Sequence, residues 1–112
     1  MITVKNRRAM PNAPLFEEDD SAKPQQIYIG RGSPLGNPFI IGPHGNRAQV
    51  IERYGYWLTG ELRPDGNAAI RAEISRIIDL AVQYQEVELI CFCKPLSCHG
   101  DVIKQVVEAS LP

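Results

Sequence analysis

"VELICFC", residues 87–93, decides the fold. Glu88 is the only polar residue in it. A run this short and this continuously apolar fits a strand buried on both faces, not the alternating pattern of a strand with one wet side. Strands of that kind sit in parallel sheets whose connections are helices.

The flanking sequence agrees. Downstream, "KPLS" turns the chain, and "CHGDVIKQVVEAS" (98–110) reads as a helix with Val102, Ile103, Val106 and Val107 inward. Upstream, a helix is expected from about Asn67 to Tyr84. Its apolar stripe is Ile70, Ile74, Ile77, Ile78, Ala81 and Val82, with Arg71, Glu73, Arg76 and Asp79 off the stripe on a solvated face. Before it, "LRPDG" (62–66) is a turn. "NRAQVIERYGYWLTG" (46–60) reads as another helix, with Asn46 as cap, Gln49 completing a capping box and Gly60 as the stop. Val50, Ile51, Tyr54, Trp57 and Leu58 share its inner face, so Tyr54 and Trp57 read as core residues and not as a stacking platform. "QIYIG" (26–30) and the β-branched "ITVKN" (2–6) supply two more strands. The expected fold is α/β: a small, mostly parallel sheet with about three helices packed on it.

The chain of 112 residues suits one domain over 1–112, with a mobile or irregular loop at about 7–25, where three prolines and an acidic run occur. No internal repeat is present. With 44% hydrophobic and 22% charged residues, a core can form without disulfides or a structural metal. Twelve basic and thirteen acidic residues give a net charge of −1, so no global basic field is available for a nucleic-acid backbone. No apolar run approaches the ~20 residues that span a bilayer. "MITVKNRRAM" lacks the apolar segment of a secretory signal. A cytoplasmic protein with no membrane partner is expected. Three clustered cysteines point to reduced thiols, not to a secreted disulfide framework.

Ligands of open α/β sheets sit outside the carboxyl ends of the strands. Two unusual stretches lie there. In "GRGSPLGNPF" (30–39), Gly30, Gly32 and Gly36 permit close backbone approach, and Pro34 and Pro38 stiffen the loop. Arg31 offers a planar fork for phosphate or carboxylate, and Ser33 and Asn37 offer short hydrogen-bonding groups. This is neither a Walker loop nor a Rossmann fingerprint, because the lysine–serine ending is absent, the third glycine is misplaced and no helix starts there. Composition leaves it open whether the loop is a ligand cradle or a rigid turn whose Ser33 and Asn37 bond their own backbone.

The second stretch, "CFCKPLSCHGD" (91–101), holds all three cysteines. Ser97 or Cys98 is the expected cap of the last helix, whose first-turn N–H groups are expected to be unpaired and to face the ligand region. Three readings compete. Cys91, Cys93, Cys98 and His99 have zinc-ligand types, but the spacing lacks a second well-separated pair. Cys98 at a helix start could be a thiolate nucleophile, assisted by His99. Or Cys91 and Cys93 are buried small residues, while Cys98, His99 and Asp101 face a polar ligand. For Asp101 the plain alternative is a carboxylate favoured by the helix dipole. His44 reads as a turn residue, and Arg7 and Arg8 as solvated.

With these stretches in hand, "IYIGRGSPLGNPF", "GNRAQVIERYGYWL" and "LICFCKPLSCHGDVI" resemble family 4326 of the domains of unknown function, over most of the chain from Ile27 to about Val107. Its R-x-S-x-x-G-N-P-F element falls on Arg31, Ser33, Gly36, Asn37, Pro38 and Phe39. Its C-x-C-x-P-x-x-C-H-G-D element falls on Cys91, Cys93, Pro95, Cys98, His99, Gly100 and Asp101. The resemblance implies a bacterial or bacteriophage protein in which the two loops form one site, and it implies no reaction.

The leading expectation is binding of a small anionic ligand, phosphorylated or nucleotide-like, through Arg31, Ser33, Gly36, Asn37 and His99. Chemistry on that ligand would run through Cys98, His99 and Asp101. No cofactor and no metal is expected in this reading. The alternative is a small zinc-binding interaction module, such as a phage protein aimed at a host factor.

Overall fold

Strand β3 (Val87–Cys91) is buried at every position, and the reason is its place in the sheet. In the computed structural model, which describes residues 2–6, 25–84, 86–91 and 98–111, β3 lies between β1 (Ile2–Asn6) and β2 (Gln25–Tyr28), in the order β1-β3-β2. Both pairings are parallel. Ile2 stands opposite Val87 on one side, and Gln25 opposite Val87 on the other. The ladder extends past β2, because Ile29 N–H donates to the Ile90 carbonyl at 2.9 Å. The parallel α/β expectation holds. Residues 7–24, the expected loop, lie outside the described residues.

Helix α1 (Arg47–Glu61) starts at the expected capping box: Asn46 Oδ1 accepts from Gln49 N–H, and Gln49 Oε1 accepts from Asn46 N–H. It runs one residue past Gly60, and Leu62 N–H still bonds the Leu58 carbonyl. Gly60 is not among the glycines with positive φ, so it does not supply the left-handed turn that ends a helix. Helix α2 (Ala68–Gln83) is capped by Asn67, whose Oδ1 accepts from Ala69 and Ile70 N–H. Helix α3 (His99–Ser110) is capped by Cys98. No helix among the described residues is long and apolar enough to cross a membrane.

The core takes alternate residues of the sheet: Ile2, Ile27, Val87, Leu89 and Cys91. Against them pack Tyr54 and Leu58 of α1, Ile70, Ile74 and Ile77 of α2, and Ile103 and Val107 of α3. At the far end of the α2 stripe, Val82 is 60% exposed. Sheet positions of the other parity carry Glu88, buried yet satisfied. Its carboxylate pairs with Lys5 and accepts from Gln26 Nε2 at 3.0 Å. The Glu88 hydrogen bond, then its charge, raise the Lys5 pKa above its ordinary value.

Helix α3 meets the sheet through a glycine. A β-carbon on Gly100 would lie 2.7 Å from Val4 Cγ1 and 2.9 Å from Ile29 Cδ1. The first turn of α3 therefore sits directly on β1 and on the exit of β2. Gly100→Ala should cost about 1–3 kcal/mol, the usual result of overpacking a close contact. Urea unfolding measures it, and an unchanged midpoint would contradict the packing argument.

Candidate functional site

The two unusual loops converge. A pocket of about 450 Å³ opens at the carboxyl ends of β2 and β3. Its lining includes Cys91, Cys98 and His99 from the strand end and the start of α3, and Tyr28, Gly30, Arg31 and Asn37 from the end of β2 and the loop after it. The rest of the lining is mostly apolar, with Phe39, Ile40 and Ile41 together with Val50 and Ile51 of α1, and it includes Arg47. Ile40 and Ile41 are 42% and 49% exposed, a cost for side chains of this type unless something covers them.

The loop 29–45 is shaped by its own polar groups. Ser33 Oγ donates to the Gly30 carbonyl at 2.7 Å, and Ser33 N–H donates to the same oxygen at 3.1 Å. A β-carbon on Gly36 would lie 2.8 Å from that oxygen, so Gly36 serves the close fold of the loop on itself. Ser33 and Gly36 are not among the residues lining the pocket. Asn37 does both jobs: its Oδ1 accepts from Phe39 N–H at 2.9 Å while the residue lines the pocket. His44 is a turn residue, as read. Its Nδ1 accepts from Ile40 N–H at 2.9 Å, and its ring meets Phe39 edge-on. The loop is tied to the core by Leu35, fully buried, whose carbonyl accepts the Tyr54 hydroxyl at 2.8 Å. Burial pushes the Tyr54 pKa up, with Cys98 the lesser cause, so the hydroxyl keeps the proton it donates.

Of the second stretch, Cys91 and the residues from Cys98 onward are described; Cys93 lies outside the described residues. Cys98 Sγ accepts from Gly100 N–H at 3.3 Å, and Asp101 Oδ2 accepts from Cys98 N–H at 3.2 Å. This corrects the expectation of unpaired first-turn donors for Gly100 and Asp101, whose N–H groups bond Cys98. The chain caps its own helix, because a sulfur and a carboxylate are already within reach of the N–H groups of Gly100 and Cys98. Asp101 is spent on the cap and is not among the pocket-lining residues. Cys98 and Cys91 bring their sulfurs to 3.3 Å.

His99 is 6% exposed and ties three elements together. Its Nε2 lies 2.6 Å from the Ile29 carbonyl. A carbonyl only accepts, so Nε2 carries the proton and Nδ1 is the acceptor in the neutral ring. The ring meets Tyr54 edge-on at 5.0 Å. Burial lowers the His99 pKa below its ordinary 6.5, and the Ile29 bond opposes that shift. Because Nε2 is held by Ile29, that nitrogen forms no nucleophile–base pair with Cys98. Among the described residues, no three His, Cys, Asp or Glu side chains converge on a metal position.

The candidates therefore divide. Arg31, Asn37, Cys98 and His99 meet at one pocket, while Ser33, Gly36 and Asp101 shape the backbone around it. Sequence reasoning missed Arg47 and the apolar part of the lining. Arg47 stands one residue after the recognised cap Asn46, and that position at the start of α1 was the available signal.

No curated protein and no solved structure matches the chain. A family match does exist, and it spans both loops and every element of the pocket. Matched over residues 16–109, the chain belongs to the family described as Domain of unknown function (DUF4326).

Proposed function

We propose that the chain binds a small anionic, nucleotide-like molecule in the pocket between the two loops. The observation that carries this reading is the composition of the lining: two arginines, Arg31 and Arg47, in the same cavity as Phe39, Ile40, Ile41, Val50 and Ile51. A flat, mostly apolar ring joined to a phosphate or similar anion matches that division. The volume of about 450 Å³ is in the usual range for small-molecule sites. Arg31 takes the anion. Asn37 offers its Nδ2 donors, and His99, neutral and fixed by Ile29, accepts through Nδ1 from a donor on the ring. Cys98, which lines the same pocket, is the candidate nucleophile of this reading.

The test is a thermal-shift screen of nucleoside mono- and diphosphates and sugar phosphates. A ligand at about 100 times its Kd adds about 2.7 kcal/mol, which raises Tm on the order of 10 °C. Arg31 is exposed, so Arg31→Ala should leave the unliganded Tm in place and weaken binding about 10- to 100-fold, the worth of a charged hydrogen bond. A flat screen, or a shift that Arg31→Ala leaves unchanged, rejects the reading.

A further inference from the structure

We propose that Cys91 and Cys98 are a reversible dithiol–disulfide pair, oxidised by small hydroperoxides that enter through the pocket. The inference does not depend on what else the pocket binds.

Four observations carry it. The two sulfurs are 3.3 Å apart with no bond between them, and closing to the ~2.05 Å of a disulfide asks for only a small side-chain movement. Each cysteine sits on a fixed element: Cys91 ends the central strand and Cys98 caps a helix of 12 residues. Both side chains are almost fully buried, at 1% and 2% exposure, yet both line the pocket, which gives a small oxidant a route to them. The two sulfurs are also not equivalent. Cys98 Sγ receives the Gly100 N–H at the positive end of α3, an arrangement that favours negative charge on that sulfur.

The chemistry follows from this asymmetry. The Cys98 thiolate attacks the terminal oxygen of a hydroperoxide. The O–O bond breaks, an alcohol leaves after taking a proton, and Cys98 becomes a sulfenic acid. The Cys91 sulfur then attacks Cys98 Sγ. The S–S bond forms, and the sulfenic oxygen leaves as water with the Cys91 proton. Two thiols lose two electrons, and the peroxide gains them.

Hydrogen peroxide is the probe, on the full chain. Intact mass should fall by two hydrogen atoms and return with dithiothreitol. Peptide mapping of the wild type should join Cys91 to Cys98, and Cys93→Ser should keep both results. In the double variant Cys91→Ala, Cys93→Ser, Cys98 is the one thiol left in the chain, so its sulfenic acid has no resolving thiol within the chain and dimedone should label Cys98. A link through Cys93, oxidation that dithiothreitol does not reverse, or protein isolated with one zinc per chain that Cys91→Ala releases would each overturn the proposal.

Discussion

Tyr54→Ala is expected to remove about 3–5 kcal/mol of stability, the range for deleting a large aromatic from a core. The ring is fully buried and packs on Trp57 at 5.5 Å and on His99 at 5.0 Å. Its hydroxyl also satisfies the buried carbonyl of Leu35, nineteen residues back in the chain. A domain of this size holds about 5–15 kcal/mol in all, so the variant should be near its folding threshold at room temperature. Tyr54→Phe separates the two contributions. It keeps the ring and strands the Leu35 acceptor, for about 1–2 kcal/mol. Urea unfolding of the three proteins, with unchanged m, checks both figures. If Tyr54→Phe were as damaging as Tyr54→Ala, the hydroxyl and not the ring would hold the loop to α1.

That residue also shows where sequence reading stops. The spacing Val50, Tyr54, Leu58 places Tyr54 in the core, and it is there. Nothing local says that its hydroxyl reaches Leu35. The same division runs through the fold. The Asn46–Gln49 capping box and the all-apolar β3 are legible, because each depends on neighbours within a few residues or on burial from both sides. The order β1-β3-β2 depends on long-range pairing and has no local mark.

At the site, residue type was a good guide to which loops matter and a poor guide to what each side chain does there. Ser33 and Asp101 have chemistry suited to a ligand. Their oxygens stand only two or three bonds from Cα, though, and short polar side chains satisfy the nearest N–H or carbonyl first. Arg31 is long enough to escape that competition and remains at the pocket. Arg47, Val50 and Ile51 are brought to it by the packing of α1 beside the loop, which no spacing rule encodes. Gly100 was read only as part of a motif. Its reason is contact: Val4 and Ile29 fill the space that a side chain would need.

The largest pH effect should come from His99. Its ring is held neutral in the fold, with a pKa lowered from 6.5 first by burial, while the bond to Ile29 works against the shift. In the unfolded chain it titrates near the ordinary value. As pH falls through about 6.5, the unfolded state takes up a proton that the folded state still refuses, so stability drops. The loss ends once pH passes below the folded pKa. The slope it adds is at most about 1.4 kcal/mol per pH unit. His99→Ala removes the ring from between Ile29 and Tyr54 and leaves the Ile29 carbonyl without its donor. That should cost about 2–4 kcal/mol near neutrality. The variant also lacks the titration, so its deficit against wild type should shrink between about pH 7.5 and about pH 5.5, above the range where ordinary carboxylates titrate. Urea unfolding of both proteins across that window gives the answer. Parallel stability curves would mean that His99 binds its proton equally well folded and unfolded. The neutral ring that the pocket reading requires would then be lost.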